Sequence, residues 1–255
     1  MNSMERRHEI VQLALSAGKV DVSELALKFD VSGVTIRADL NYLDRQGLLV
    51  RTRGGAMASN RILREMPLTE RRDKRIAIKR LIAQAARTLV NDGDTLILDS
   101  GTTTAEIARC LTGYRHLMVM TNGLNVAGNL ASIDGIELLM TGGKLRKVSQ
   151  SFFGRHAEES LARYNFDKLF LGVDGFDFHV GITTHFEYEA ILNRRMCEAA
   201  KQIIAVTDSS KFNLSGVHKI RRFGEIDILV TDSGIPDRFA SALESRGVRL
   251  IIVEA

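Results

Sequence analysis

Residues 21–57 carry the pattern that most constrains how this chain of 255 residues can fold. Two short helical patterns flank a tight turn at residues 31–33. In the second helical pattern Ile36, Leu40 and Leu43 recur at helical spacing, which predicts a buried stripe. A basic, Gly-tipped hairpin pattern follows. The segment therefore predicts a winged helix-turn-helix, a motif whose second helix enters the major groove of DNA.

The outward side of that second helix indicates how it would contact DNA. Ser32 lies where its hydroxyl can cap the helix, and Val34 and Thr35 follow at the end that reaches base edges. The methyl groups of Val34 and Thr35 suit contact with thymine methyl groups. We expect Arg37 to contact either a base or a phosphate, and Arg45 to contact phosphate.

The hairpin that follows the second helix has the composition of a wing. Residues 48–53 read as a strand, and a Gly-Gly turn ends it. Arg51 and Arg53 alternate along this run, so we expect them on one face of the strand. Such a strand suits phosphate contact or insertion into a minor groove. The predicted DNA-contacting residues are Ser32, Val34, Thr35, Arg37, Arg45, Arg51 and Arg53.

Basic charge is concentrated towards the N-terminus. The whole chain has a net charge of +4, yet residues 1–80 hold 16 basic and 10 acidic side chains, against 19 and 21 in the rest. Within that part, residues 45–80 hold 11 basic and 3 acidic side chains. This distribution favours contact of the wing and linker with nucleic-acid phosphates.

The remainder of the chain predicts a second domain of the α/β class. Short apolar runs alternate with helical patterns, and these runs are residues 95–98, 117–120, 136–140, 169–173, 203–206, 228–230 and 248–253. The alternation predicts a mainly parallel sheet with helices on both faces. We predict a DNA-binding domain over residues 1–57, a polar linker over 58–72, and a second domain over 73–255 that opens with one helix over 73–90.

Small and polar residues follow the carboxyl ends of five of these runs, where open α/β sheets bind ligands. At residues 99–104 a strand runs through Ser-Gly-Thr-Thr-Thr directly into a helix, which suits a phosphate. Lys211 can supply the countercharge, and Asn122, Asp174 and Glu187 offer hydrogen bonds to a polyol. Alternatively, such residues form short loops and helix caps for structural reasons alone.

Several motifs resemble the DeoR family of bacterial sugar-operon repressors. The spacing of Arg7, Val11 and Leu15, followed by residues 32–40, is similar to the N-terminal signature of that family. The wing Arg-Thr-Arg-Gly-Gly-Ala is also one that the family carries. At Ala38 many relatives have a second basic residue, so a contact at that position is not carried over.

The resemblance covers nearly the whole chain. Residues 74–250 look like the effector domain of DeoR-type repressors, which is similar in fold to ribose-5-phosphate isomerase and binds a phosphorylated sugar that controls DNA binding. By that likeness the phosphate is held by Ser100, Gly101, Thr102, Thr103, Thr104 and Lys211, and the sugar is faced by Asn122, Gly143, Asp174 and Glu187, with Asp99 and Gly142 adjoining them.

The resemblance also bears on the effector. Four runs look particularly like the repressors of N-acetylgalactosamine and galactitol utilisation, namely residues 99–104, 138–143, 192–198 and 207–213. The implied effector is a phosphorylated galactosamine, tagatose or galactitol.

Two other functions stay open at this point. One is a sugar-phosphate isomerase or deaminase fused to a DNA-binding module, which needs a base and an electrophile. Related isomerases resemble each other in an Asp-Gly-Ala-Asp loop, a following Lys and a later Glu. Here Asp174 and Glu187 remain, but Leu171 begins the loop and Phe178 lies near where the Lys would fall, which disfavours catalysis. The other, a second domain that serves only oligomerisation, leaves the polar loops unexplained.

The sequence indicates no further chemistry. The histidines and the two cysteines, Cys110 and Cys197, show no metal-ligand spacing, and no Walker-type loop occurs. We therefore expect no metal and no cofactor besides the effector. Without a signal core or an apolar run of membrane-spanning length, we expect a cytoplasmic protein with no membrane partner. The expected partners are double-stranded operator DNA, a phosphorylated sugar, and further copies of the chain in a homodimer or homotetramer.

Overall fold

The computed structural model describes residues 2–45, 48–58 and 66–254. Its N-terminal part contains three helices and a small antiparallel sheet. The elements are α1 (Ser3–Ala17), β1 (Lys19–Asp21), α2 (Val22–Phe29), α3 (Gly33–Arg45), β2 (Leu49–Thr52) and β3 (Gly55–Ala58). The sheet has the order β1-β3-β2, so the hairpin of β2 and β3 is anchored on the strand between α1 and α2.

The predicted winged helix-turn-helix is confirmed. Ile36, Leu40 and Leu43 are fully buried in the core beneath α3. The Ser32 hydroxyl accepts a hydrogen bond from the Thr35 amide at 3.2 Å, as expected of a residue that caps the helix. At Gly55 a Cβ atom would lie 2.0 Å from the Val20 carbonyl oxygen, so only glycine lets β3 pair with β1 at this point.

The chain enters the second domain through two helices where one was predicted. These are α4 (Leu68–Asp73) and α5 (Ile76–Arg87), and they are separated because Arg75 adopts a left-handed conformation with φ 52°. Lys79 donates from its ammonium group to the main-chain carbonyls of Arg71 and Lys74, which satisfies groups left free at the end of α4. Part of the predicted linker is thus helical, and its residues 59–65 lie outside the described ranges.

The second domain is built on a seven-stranded parallel sheet. Its elements are β4 (Thr95–Leu98), α6 (Thr102–Cys110), β5 (Leu117–Thr121), α7 (Leu124–Leu130), β6 (Ile136–Met140), β7 (Lys144–Arg146), β8 (Ser151–Phe153), α8 (Arg155–Leu161), β9 (Phe166–Gly172), β10 (Gly175–Asp177), β11 (Gly181–Thr184), α9 (Glu187–Glu198), β12 (Ala200–Val206), β13 (His218–Arg221), β14 (Ile228–Asp232), α10 (Asp237–Glu244) and β15 (Arg249–Val253). The strand order is β15-β14-β12-β9-β4-β5-β6. Every neighbouring pair is parallel.

All seven strands predicted from apolar runs belong to this sheet, so the predicted α/β fold is confirmed. Helices α5, α6 and α7 pack on one face, and α8, α9 and α10 pack on the other. Because both faces are covered, the strands carry continuous apolar runs, such as residues 169–171 of β9 and 203–206 of β12. The antiparallel sheet β10-β11-β13 and the hairpin β7-β8 were not predicted. No helix within the described ranges is both long and apolar enough to cross a bilayer.

The two domains touch through α1. The His8 ring nitrogen Nδ1 lies 3.0 Å from the main-chain oxygen of His185, in the residue that follows β11. Val217, which precedes β13, packs against the core of the winged module.

Candidate functional sites

The predicted DNA-contacting residues of α3 lie at its surface. Val34 is 73% exposed, although it is a large apolar residue, and Ser32, Arg37 and Arg45 are also exposed. An apolar side chain so exposed contributes little to the core, and it suits contact with base edges in a groove. Thr35 is half-buried beside Ser32.

The wing departs from the prediction in one respect. Arg53 is exposed, but it lies in the turn between β2 and β3, because β2 already ends at Thr52. The expectation that Arg51 and Arg53 share one strand face is therefore wrong. The Arg51 guanidinium donates to the Gly55 carbonyl and so stiffens the hairpin, while Arg53 projects from its tip.

An ion-pair cluster that sequence reasoning missed joins α1 to α3. Asp39 is 2% exposed, and its two oxygens each accept a hydrogen bond at 2.6 Å, one from Arg6 and one from Arg7. Arg7 also stacks over the Tyr42 ring, 4.1 Å from its centroid. An available signal was the position of Asp39 within the apolar stripe of α3, where an acidic residue needs a buried cationic partner.

A cavity of about 470 Å³ lies at the carboxyl ends of the adjacent strands β4, β9 and β12. The loops after these strands, the first turn of α6, helix α9, and the segment from α4 to α5 form its walls. Eight of the twelve predicted effector-binding residues line it, namely Asp99, Ser100, Gly101, Thr102, Thr103, Thr104, Asp174 and Lys211. Ligands of open α/β sheets bind at this edge.

Part of the cavity lining is suited to an anion. The first amides of α6 have no partner inside the helix, and Gly101 brings no capping side chain. The Thr104 hydroxyl is buried and has no hydrogen-bond partner among the described residues. Lys211 lines the cavity as well, and burial lowers the pKa of its ammonium group. A bound anion would stabilise the charged form of this lysine.

Four further cations line the cavity, one from the predicted linker and three from the first helix predicted for the second domain. They are Arg71, Lys74, Arg75 and Lys79. Arg75 pairs with Asp208 at 3.2 Å and with Asp232 at 2.9 Å. Part of the basic charge of residues 45–80 therefore faces the cavity, which corrects the assignment of that charge to DNA phosphates. Spacing along the chain could not distinguish the two destinations.

The lining of the cavity also carries carboxyl groups. Asp99 accepts hydrogen bonds from the Ser100 amide at 2.7 Å and from the Asn193 side chain at 3.3 Å. Burial and the neighbouring charge of Asp174 raise the pKa of Asp99 to about 7. Burial and the charges of Asp174 and Asp99 raise the pKa of Glu189 to about 8.

Asp174 behaves differently because it has cationic partners. Burial by itself would raise the pKa of this carboxyl, but Arg71 and His185 hold it below its usual value. One oxygen pairs with Arg71. The other accepts a hydrogen bond from the Thr184 hydroxyl at 3.2 Å and lies 3.6 Å from His185 Nδ1. Asp174 is thus charged, whereas Glu189 keeps its proton at neutral pH and Asp99 has a pKa of about 7.

Four predicted residues are missing from the described lining of the cavity: Asn122, Gly142, Gly143 and Glu187. Asn122 follows β5 and uses its side-chain oxygen to accept from the Ser100 amide at 2.8 Å, so it holds the loop that lines the cavity. Gly142 and Gly143 follow the edge strand β6, away from the cavity, and lead into the hairpin of β7 and β8.

Glu187 was predicted where Glu189 lies. Two residues along a helix are about 200° apart around its axis, so only one of these two side chains can face the cavity. Glu189 and Asn193, four residues apart on α9, both line it. Their spacing beside the buried Ala190 and Leu192 was the available signal.

The raised pKa of Glu189 predicts a pH-dependent stability. In the folded protein this carboxyl keeps its proton up to about pH 8, whereas its usual pKa is 4.5. Between these values the folded state binds more protons, so a rise in pH lowers the free energy of unfolding. We expect Glu189→Gln to remove part of this loss. The melting temperature of the variant relative to wild type should therefore rise between about pH 5 and about pH 8, by about 2–4 °C for each kcal/mol of loss that is removed.

Glu187→Gln is the matched control for thermal denaturation at both pH values. A difference in melting temperature between Glu189→Gln and wild type that is equal at both pH values would contradict the protonation of Glu189.

Among the residues that the structure describes, no group of three or more His, Cys, Asp or Glu side chains is placed to hold a metal ion.

Comparisons with known proteins identify the family. The model of the DeoR C terminal sensor domain matches residues 74–233, and that of the DeoR-like helix-turn-helix domain matches residues 6–61. The chain belongs to the DeoR family. The resemblance noted in the sequence is thus confirmed, and so are a DNA-binding regulatory role and the absence of an enzymatic one, since DeoR-family relatives are named as transcriptional regulators.

Three DeoR-family relatives illustrate the similarity. A protein of Escherichia coli provisionally named as the aga operon transcriptional repressor is 49% identical, over 98% of this chain and 93% of its own length. The transcriptional repressor GlcR of Bacillus subtilis is 33% identical over 100% and 98%. The glycerol-3-phosphate regulon repressor of Escherichia coli is 29% identical over 98% and 99%.

Solved structures with partial similarity include two other kinds of protein. A ribose 5-phosphate isomerase of Methanocaldococcus jannaschii aligns with a TM-score of 0.38 at 19% identity, covering 54% of each chain. The translation initiation factor eIF-2B of Pyrococcus horikoshii aligns with a TM-score of 0.40 at 17% identity, covering 88% of this chain and 76% of its own.

Proposed function

We propose that this DeoR-family regulator represses a sugar-utilisation operon and leaves its operator when a phosphorylated sugar binds the cavity. The observation that carries the proposal is the presence, in the lining of one cavity, of both anion-binding groups and hydrogen-bonding groups that suit a polyol. The first turn of α6 and Lys211 are the anion-binding groups, and Asp99, Glu189 and Asn193 offer hydrogen bonds to a polyol. A ligand that carries both a phosphate and hydroxyl or amino groups matches this set of residues.

The hydrogen bonds of the cavity cations favour Lys211 as the phosphate ligand. Lys79 donates to main-chain carbonyls, and Arg75 pairs with Asp208 and Asp232. The Lys211 ammonium has no hydrogen bond to any residue within the described ranges. Together with the amides of α6 it would provide charge-assisted hydrogen bonds to three phosphate oxygens.

The identity of the sugar is proposed from the sequence resemblance and from one relative. That relative, 49% identical, is provisionally named as a repressor of the aga operon. We propose a phosphorylated galactosamine, tagatose or galactitol as the effector. Because Glu189 offers a protonated carboxyl group and Asn193 an amide to the cavity, they can both donate hydrogen bonds to a polyol and accept them from it.

On the DNA side we propose that Ser32, Val34 and Thr35 reach base edges and that Arg53, at the tip of the wing, contacts phosphate. Each chain offers one reading helix, and helix-turn-helix proteins match two half-sites by pairing such helices. We therefore propose a homodimer or homotetramer that acts in the cytoplasm on operator DNA.

Fluorescence anisotropy on DNA from the upstream region of the gene tests the proposal. The protein is titrated onto labelled DNA at fixed salt, with and without each of the three phosphorylated compounds and their unphosphorylated forms. We expect one phosphorylated compound to weaken binding by at least tenfold and its unphosphorylated form to have no effect. Tight binding that no compound changes would leave a DNA-binding protein whose second domain serves oligomerisation.

A further inference from the structure

His185 contacts the DNA-binding domain and also lies beside Asp174, which lines the cavity. We infer that His185 couples the state of the cavity to the placement of the DNA-binding domain, through its side chain on one side and its main chain on the other. His185 is buried and directly follows Thr184, which lines the cavity. The inference rests on the proposed function, because it states how a ligand in the cavity reaches the reading helix.

On the cavity side, the His185 imidazole faces a carboxylate whose partners a ligand can change. Its Nδ1 lies 3.6 Å from an Asp174 oxygen that also accepts a hydrogen bond from the Thr184 hydroxyl. The other Asp174 oxygen pairs with Arg71 of α4, and both residues line the cavity. A phosphate that draws Arg71 away, or a hydroxyl that donates to Asp174, alters the negative charge that His185 meets.

On the DNA-binding side, the main chain of His185 is held by α1. A carbonyl oxygen only accepts hydrogen bonds, so in the 3.0 Å contact His8 is the donor and carries a proton on Nδ1. His8 lies next to Arg7 on the same helix, and Arg6 and Arg7 both bind Asp39 of α3. A displacement of α1 is therefore passed to the reading helix by the two ion pairs with the buried Asp39.

A second set of contacts links residues 183–185 to the DNA-binding domain, in addition to the hydrogen bond of His8. The Gly216 amide donates to the Thr183 hydroxyl at 2.8 Å. A Cβ atom at Gly216 would lie 2.3 Å from the Thr184 oxygen, so the two segments are in close main-chain contact. Val217, the next residue, packs against the core of the winged module. A movement of residues 183–185 thus carries Val217 with it.

Paired variants of His8 in the full-length protein separate coupling from mere packing. His8→Phe keeps a ring and removes the donor, whereas His8→Asn keeps a donor nitrogen on Cγ. The measured quantity is the ratio of operator Kd with and without phosphorylated galactosamine, tagatose or galactitol, in the anisotropy assay above. We expect His8→Phe to reduce the wild-type ratio by at least fivefold and His8→Asn to keep it within about twofold.

The same comparison applies to His185→Leu, which loses the contact with Asp174, and His185→Asn, which keeps a nitrogen at the Nδ1 position. Calorimetric titration of each variant with the same compounds, without DNA, shows whether the ligand still binds. A ratio that stays at the wild-type value in both His8→Phe and His185→Leu, whether or not operator affinity falls, would overturn the inference.

A ligand-free measurement keeps the inference testable even if the proposed function fails. Should none of the three compounds release wild-type protein, the operator Kd is compared among Asp174→Asn, His8→Phe and the double variant. Coupling predicts that the double variant departs by at least about threefold from the product of the single effects. Single effects that multiply without such a departure would refute the coupling.

Discussion

Replacing Asp39 by alanine is expected to unfold the DNA-binding domain and leave the second domain folded. The Asp39 carboxylate is 2% exposed and binds both Arg6 and Arg7 at 2.6 Å. Its loss leaves the buried Arg6 with an uncompensated charge, and breaking a buried pair in this way costs about 3–5 kcal/mol. Whole domains are stable by only about 5–15 kcal/mol, and small domains lie at the low end of this range, so most of the stability of this module would be lost.

Hydrogen exchange followed by mass spectrometry locates the effect of this substitution. We expect amides of α1 and α3 to lose protection in Asp39→Ala, amides of β4 and β9 to keep it, and operator binding to disappear. The control Glu9→Ala removes a carboxylate of α1 whose pair with Lys28, at 3.3 Å, is exposed and contributes about 0–1 kcal/mol. Equal protection of α3 in both variants would argue against a structural role for the buried cluster.

Replacing Lys211 by alanine is expected to abolish the response to the effector. A hydrogen bond between charged groups contributes about 1.5–3 kcal/mol, which corresponds to a roughly 10- to 100-fold weaker affinity for the phosphorylated sugar. Because burial already disfavours the charged ammonium, its removal should not destabilise the free protein. Lys211 lies in the second domain, away from α3 and the wing, so operator binding without the sugar is expected to persist.

Calorimetry of sugar binding and anisotropy of operator binding measure the two halves of this expectation. Lys201→Ala is the matched control, since Lys201 lies near the start of β12 and Lys211 follows its end. The Lys201 ammonium forms an exposed pair with Asp167. Normal release of Lys211→Ala from the operator by the same sugar concentration would remove Lys211 from the phosphate site.

The large sheet could be predicted from the sequence because parallel strands covered on both faces must be apolar along their length. Each of the seven apolar runs became one of its strands. The strands β7, β8 and β10 were missed for a different reason. They are only three residues long, and β7 carries two of its three side chains as cations. Pairing at this length is decided by tertiary contacts, which the local pattern does not contain.

The sequence predicted the part of the candidate site that depends on the order of the strands. It did not predict the parts that depend on the rotation of a helix about its axis or on how a distant segment of the chain folds back. Loops at the ends of β4, β9 and β12 were expected to converge, since parallel strands of one sheet end at the same edge. Which glutamate of α9 faces the cavity depends on the rotation of that helix about its axis. That Arg71 and Arg75 turn back over the cavity depends on the left-handed conformation of Arg75, a residue type that rarely adopts it.

The position of β4 inside the sheet has a consequence for how the chain is made. Apart from Val217, the core of the winged module comes from residues 10–58, so it can close while the ribosome is still adding the second domain. Strand β4 by contrast lies between β5 and β9, and β9 begins only at Phe166. During synthesis the apolar strand β4 therefore lacks its neighbour β9 until that strand has been made. The second domain is for this reason the one exposed to aggregation and to capture by chaperones.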